Sequence, residues 1–93
     1  MTEDFRRVVE HAAGVLKDLG AREVYLFGSA AHGLLHPHGD VDIAVAGLPA
    51  QVFFRAMSKA SDALKRPIDL VDLDDDTPFS RWLKEKGDLI RVG

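Results

Sequence analysis

Residues 28–45, GSAAHGLLHPHGDVDIAV, hold the pattern that decides the fold. A Gly-Ser pair directly follows the apolar run 23–27, and Asp40 and Asp42 stand one residue apart where a second apolar run begins. Short runs of this kind, rich in β-branched and aromatic residues and bounded by glycine, are typical of strands. The stretch therefore predicts two strands joined by a small-residue turn and a loop, with polar groups where the strands meet this connection.

The segments on either side continue as helices and strands in alternation. Apolar residues at helical spacing predict the helices, with Thr2 and Thr77 as N-caps and Gly20 as the C-cap of the first. The predicted helices cover 2–19, 29–32 (a single turn), 49–65 and 79–86, and the predicted strands cover 23–27, 41–45, 68–73 and 89–92. Helices alternating with short strands predict an α/β (α+β) layer structure, a small mixed β-sheet with helices packed on it.

The composition is that of an ordinary globular chain, with 46% hydrophobic and 29% charged residues and a net charge of -3 over 93 residues. We expect one domain, residues 1–93, whose thin core would gain from a partner that covers apolar surface. The mild acidity argues against a basic surface for direct nucleic-acid binding. The absence of cysteine excludes disulfides and thiolate zinc sites. With no signal peptide and no apolar stretch of about 20 residues, we expect a soluble, cytoplasmic protein that does not enter a membrane.

Gly28 and Ser29 stand where a strand ends and a helical turn begins. Free backbone N–H groups at the start of a helical turn attract phosphate, and glycine lets the backbone approach it closely. The serine hydroxyl adds a donor. Taken alone, the pair is a weak signal that is better explained as an ordinary turn after a strand.

Asp40 and Asp42 make a ligand site the better explanation. In an extended segment their side chains would share one face, with Cα atoms about 7 Å apart. Two carboxylates on one face repel each other unless a positive group lies between them. Carboxylate oxygens suit Mg²⁺, which takes one or two of them together with substrate phosphates. The alternative is a solvated Asp-x-Asp turn.

Asp69 adds a third carboxylate, in an otherwise apolar strand where an uncompensated charge would be costly. If that strand pairs beside 41–45, Asp69 can approach Asp40 and Asp42. Three carboxylates facing a phosphate-binding turn form the arrangement used in two-metal phosphoryl or nucleotidyl transfer. Asp72 is the competing candidate in the same strand, but we expect its side chain to point to the opposite face.

These residues together resemble a known family. Gly28-Ser29, ten intervening residues and Asp40-Val41-Asp42 are similar to the G-S-x10-D-x-D motif of the minimal nucleotidyltransferase (MNT) domains in the DNA polymerase β-like nucleotidyltransferase superfamily. The resemblance extends through Ala31 and Gly33 to the strand around Asp69 and to the closing helix and strand, so it covers nearly the whole chain.

The resemblance implies a nucleotidyltransferase (polymerase β palm-like) fold and a role for each motif residue. It implies that Gly28, Ser29, His32 and Gly33 bind the triphosphate of a nucleotide. It assigns Asp40, Asp42 and Asp69 to the catalytic centre as ligands of Mg²⁺, with two ions expected and Asp69 also activating the acceptor hydroxyl. The implied reaction is transfer of AMP from ATP, with pyrophosphate leaving.

The resemblance also implies a partner. Many MNT proteins of this size act beside a helical HEPN-domain protein as the antitoxin of a toxin–antitoxin pair, with a tyrosine of the HEPN toxin as acceptor. Transfer to a small molecule or to RNA, as in other relatives, is the lesser alternative because the chain lacks an acceptor-holding domain and a basic surface. The oligomeric state, homomeric or heteromeric, stays open.

Three positions depart from the family pattern. Arginine is frequent in the family where this chain has Ala30 and His32, and serine where it has Gly39. Because arginine binds phosphate through a fixed fork of donors, its loss should weaken triphosphate binding, although His32 can donate in part. The alternative function is therefore a catalytically weak or inactive antitoxin that neutralises its partner by binding.

The other conspicuous side chains are expected to be structural. His32, His36 and His38 lie in a proline-containing loop without the regular spacing of a zinc site, so we interpret them as solvated. We expect Phe79 and Trp82 to pack in the core or against a partner rather than to stack on a base.

Overall fold

The computed structural model describes residues 2–33 and 39–93, and its elements follow the predicted order. The helices are α1 (Glu3–Asp18), α2 (Gly28–Ala31), α3 (Phe53–Leu64) and α4 (Pro78–Lys86), and the strands are β1 (Glu23–Leu26), β2 (Val41–Ala46), β3 (Ile68–Asp72) and β4 (Ile90–Arg91). The mixed α/β fold predicted from the sequence is thus confirmed. Of the predicted loop between α2 and β2, residues 34–38 lie outside the described part of the chain.

Two of the predicted helix ends differ from the structure in the kind of turn or cap. The helix expected from residue 49 begins as a 3₁₀ turn, Ala50–Val52, before α3. The first helix ends on Leu19 as its C-cap, and Gly20 follows with φ 121°, a conformation that glycine adopts at little cost. Both differences lie at element ends, which the pattern of apolar residues locates only to within a few residues.

The four strands form one mixed sheet in the order β3-β2-β1-β4. β1 runs antiparallel to both β2 and β4, whereas β2 and β3 are parallel and are joined through α3. In the β2–β3 register Asp42 is the partner of Asp69. The pairing of β3 with β2, which is needed to bring Asp69 close to Asp42, is therefore present.

Helices α1 and α3 pack on each other and cover one face of the sheet. Thr2 begins α1 as predicted, since its side chain accepts a hydrogen bond of 3.1 Å from the Phe5 N–H. Leu16 of α1, with Leu26 and Ile43 of the sheet, is among the largest side chains that are fully buried in this core. The odd-numbered residues of β2 point into it, so its even-numbered residues, Asp42 included, belong to the opposite face.

Helix α4 packs on that opposite face through a smaller cluster of Phe27, Ala44, Leu73 and Leu83. Its start is held by a capping box, in which Thr77 and Ser80 each bond the other's backbone N–H. No helix in the described ranges is long and apolar enough to cross a membrane.

Candidate active site

The Gly-Ser turn, residues 28–33, begins directly after β1. Helix α2 starts at Gly28 with Phe27 as its N-cap, and this N-cap residue makes no side-chain capping hydrogen bond. Gly28 has φ 63°, in the left-handed region that favours glycine. A Cβ at this position would also collide with the Asp42 carboxylate. Glycine is therefore required twice, for the backbone conformation and for the close approach of Asp42.

Asp42 and Asp69 are direct neighbours on adjacent strands. They are register partners in the parallel β2–β3 pair, where strands lie about 4.8 Å apart and paired residues share one face. Asp42 is partly buried, and Asp69 is exposed on β3, the edge strand. Asp40 is exposed and immediately precedes β2.

Burial raises the pKa of the Asp42 carboxyl above its ordinary value, and repulsion from Asp69 and Asp40 raises it further. Among the described residues, the two salt bridges that the structure shows, His32–Asp88 and Arg81–Asp76, involve none of these three aspartates. The site therefore has an excess of negative charge, and a cation placed beside the carboxylates would relieve it.

Mg²⁺ fits this donor set in a particular way. In residues 2–33 and 39–93, no three histidine, aspartate or glutamate side chains form a ready-made metal cluster. The paired Asp42 and Asp69 carboxylates nevertheless match the one or two protein ligands that Mg²⁺ takes when substrate phosphates supply others. The residues thus fit a Mg²⁺ ion whose coordination is completed by a phosphate on the Gly-Ser turn, rather than an ion held by protein ligands alone.

The phosphate side of the site is weakly basic. Residues 28–33 contain no arginine or lysine, and Ala30 is completely buried in the core. His32 is exposed, and its Nε2 lies 3.2 Å from Oδ2 of Asp88. Gly33 follows with φ 70° and donates its N–H to the Ala30 carbonyl. Backbone amides, Ser29 and His32 are therefore the donors that the turn can offer to a phosphate.

Asp72 lies apart from the acidic pair, as the sequence predicts. It is the register partner of Val45, on the face opposite Asp42 and Asp69, and its Oδ1 accepts a 2.9 Å hydrogen bond from the Asp74 N–H. His36 and His38 lie outside the described residues.

The aromatic side chains of Phe79 and Trp82 lie beside the Gly-Ser turn. The sequence did not predict this position. Phe79 and Trp82 are 48% and 51% exposed, so neither is a core residue, and their rings are nearly parallel with centroids 6.2 Å apart. With Phe27 and Gly28 they line a cleft of about 380 Å³, the aromatic cleft. Their spacing of three residues on a helix was the available signal, but that spacing is equally typical of a buried stripe.

The fold and site can be compared with known proteins. A chain from a toxin–antitoxin complex with AMP-PNP is 26% identical, with a TM-score of 0.71, over 90% of this chain and 72% of that chain. A chain described as a minimal nucleotidyltransferase is 22% identical, with a TM-score of 0.76, over 91% of both chains.

A third structure, a tri-AMPylated Shewanella oneidensis HEPN toxin in complex with an MNT antitoxin, contains a chain that is 23% identical, with a TM-score of 0.66, over 95% of this chain and 71% of that chain. The last two likenesses, at this level of identity, show the fold alone. The sequence matches no curated protein at a significant level.

The family model described as "Polymerase beta, Nucleotidyltransferase" matches residues 14–91. This range includes the Gly-Ser turn, both carboxylate-bearing strands and the aromatic cleft. Because the match covers most of the chain, the protein belongs to the polymerase β nucleotidyltransferase family.

Proposed function

We propose that this protein is a Mg²⁺-dependent nucleotidyltransferase that transfers AMP from ATP to a tyrosine of a partner HEPN toxin and thereby acts as its antitoxin. One observation carries the proposal. Asp42 packs against Gly28 at the start of the Gly-Ser turn and is at the same time the neighbour of Asp69. Carboxylates and a phosphate-binding turn are the two halves of a nucleotidyl-transfer site, and here they are in contact.

The residues take the following parts in the reaction. Backbone N–H groups of the Gly-Ser turn, with Ser29 and His32, bind the β- and γ-phosphates, while Gly33 lets the turn close. The acceptor hydroxyl attacks the α-phosphorus, the bond from this phosphorus to the β-phosphate oxygen breaks, and pyrophosphate leaves. Asp69, exposed on the edge strand, takes up the hydroxyl proton from the acceptor side.

Asp40, Asp42 and Asp69 would hold Mg²⁺, two ions in the full site. The metal would supply positive charge against the charge that develops on the phosphates and on the acceptor oxygen. The protein's own contribution is the placement of the acidic residues: β2 and β3 fix Asp42 and Asp69 in register, and Gly28 leaves room for the Asp42 carboxylate.

The choice of ATP and of a HEPN toxin is supported by the structural neighbours. The 26% identical chain comes from a toxin–antitoxin complex with AMP-PNP, an ATP analogue. The HEPN toxin that accompanies the MNT antitoxin in another neighbour is itself AMPylated. An acceptor on a partner also suits a small domain, since the partner can complete the cleft that one short chain leaves open.

The experiment is a transfer assay with ATP labelled in the α-phosphate, Mg²⁺ and the HEPN partner. We expect label on a tyrosine of the partner with the wild-type chain, and no label with Asp42→Asn or Asp69→Asn. Asp72→Asn is the matched control, because Asp72 lies in β3 like Asp69 but on the opposite face of the sheet. No transfer by the wild type, in a complex shown to form, would refute the enzymatic function.

The second candidate is an antitoxin that neutralises its partner by binding alone. It is favoured by the Gly-Ser turn, which has no arginine or lysine and whose His32 is engaged by Asp88. The same variant separates the two functions. Asp42→Asn should still neutralise the toxin if binding suffices, and should fail to do so if AMP transfer is required.

A further inference from the structure

We propose that the aromatic cleft binds the nucleobase of the triphosphate, stacked on the exposed face of Trp82, and that the site prefers purines to pyrimidines. The inference rests on the proposed function, because it needs a nucleotide whose phosphates lie on the Gly-Ser turn. It assigns the base a binding place that neither the acidic residues nor the Gly-Ser turn provides.

The first argument is the continuity of the cleft with the phosphate side of the site. Gly28 and His32 line the cleft, and Gly28 also touches the Asp42 carboxylate. A nucleotide held by its phosphates at the start of the turn therefore has the cleft directly beside it. The cleft volume of about 380 Å³ falls in the range of small-molecule sites.

The second argument is that the aromatic side chains are held in place before any ligand binds. The Phe27 ring meets Phe79 edge to face, with centroids 6.0 Å apart, and Phe79 in turn stacks with Trp82. Buried Leu83 and the Thr77–Ser80 capping box fix helix α4 beneath them. A rigid platform of this kind loses little conformational entropy when a flat ligand stacks on it.

The third argument concerns selectivity. The polar side chains that line the cleft, His32, Lys86 and Asp88, are all exposed, and His32 and Asp88 are paired with each other. No buried polar group in the described residues is therefore set to read the edge of a base. Recognition then depends on stacking area, which is larger for a purine than for a pyrimidine. ATP and GTP should bind with similar affinity, and both more tightly than CTP or UTP.

The test uses the intrinsic fluorescence of Trp82, the only tryptophan of the chain. The full chain is titrated in Mg²⁺ with ATP, CTP and tripolyphosphate, with excitation at the red edge of the indole band. We expect ATP to quench the emission with saturation, CTP to require higher concentrations, and tripolyphosphate to leave it unchanged. Equal quenching by tripolyphosphate would overturn the proposal, since the indole would then report a change that needs no base.

Calorimetric titration with ATP provides the second measurement. Trp82→Ala should weaken ATP binding by roughly 5- to 150-fold, the loss expected for one stacked base, and should leave tripolyphosphate binding unchanged. Trp82→Phe should retain most of the affinity. The matched control is Phe54→Ala, because Phe54 is even more exposed but lies on α3, on the other side of the sheet.

The outcomes separate this inference from the proposed function. If wild type and Trp82→Ala bind ATP equally, the base does not stack on Trp82, while nucleotide binding and AMP transfer remain as proposed. The exposed aromatic pair would then be assigned to a protein partner. If the wild type binds no ATP at all, the inference and the enzymatic function both fail.

Discussion

Gly28→Ala is the most informative single substitution, because Gly28 joins the phosphate side of the site to the acidic pair. An alanine at φ 63° costs about 1–2 kcal/mol, since its Cβ approaches the following carbonyl oxygen. The Cβ would also meet the Asp42 carboxylate, which must rotate away at a further cost of about 0.5–1.5 kcal/mol. We expect a total loss of about 1.5–3.5 kcal/mol in the free energy of unfolding.

The assay is urea unfolding of the variant beside a double-mutant cycle with Asp42→Ala. Removing the carboxylate relieves the collision but leaves the backbone cost. The coupling energy should therefore equal the collision part, about 0.5–1.5 kcal/mol. AMP transfer by Gly28→Ala should fall as well, because the displaced Asp42 no longer faces the turn.

Gly14→Ala is the control for the same chemical change. Gly14 lies in the interior of α1, is exposed, and a Cβ there would meet nothing within 4 Å. That alanine should stabilise the chain by about 0.5–1 kcal/mol through helix propensity. If Gly28→Ala were as stable as wild type, or showed no coupling to Asp42, the contact between the turn and the acidic pair would be refuted.

Two further predictions concern stability. The pKa of Asp42 is raised in the folded chain, so the ionised carboxylate lowers the free energy of unfolding at pH values above that pKa. This loss of stability disappears below the pKa of aspartate in the unfolded chain, about 4. In the presence of a chelator, Asp42→Asn should thus be more stable than wild type near neutral pH, and the difference in stability should shrink towards pH 4. Urea unfolding at several pH values measures this difference, and a variant less stable than wild type at neutral pH would contradict the prediction. Thr77→Ala removes the hydroxyl that accepts a 3.0 Å hydrogen bond from the Ser80 N–H. This change should lower the free energy of unfolding by about 1 kcal/mol, which corresponds to a fall of roughly 4–8 °C in Tm. Thr77→Ser keeps the hydroxyl and should leave the stability unchanged.

The order and type of the elements could be predicted because they depend on local patterns. Apolar spacing and caps determine α1, and the short apolar runs bounded by glycine determine β1 and β2. The pairing of β3 beside β2 could be stated only as a condition, since a register depends on contacts distant in the chain. The structure supplies it, with Asp42 beside Asp69.

The features that sequence reasoning missed depend on tertiary placement. The contact between Gly28 and Asp42 requires the backbone dihedral of Gly28, which no residue pattern reveals. Phe79 and Trp82 have the spacing of a core stripe, but α4 buries Ser80 and Leu83 instead. Because α4 turns those residues towards the sheet, the two aromatic rings are left at the margin of the site.

The electrostatics of the site bear on the choice between an enzyme and a binding antitoxin. Burial raises the pKa of Asp42, and repulsion from Asp69 raises it further, while the salt bridges among the described residues provide no basic partner for either carboxylate. An antitoxin that acted by contact alone would gain stability from a neutral residue at Asp42. The site nevertheless keeps both carboxylates, and Gly28 leaves room for that of Asp42. A cation and a phosphate that complete the site would explain why these acidic residues are placed together. The physical cost of the pair therefore favours nucleotidyl transfer over binding alone, even though the Gly-Ser turn has few basic groups.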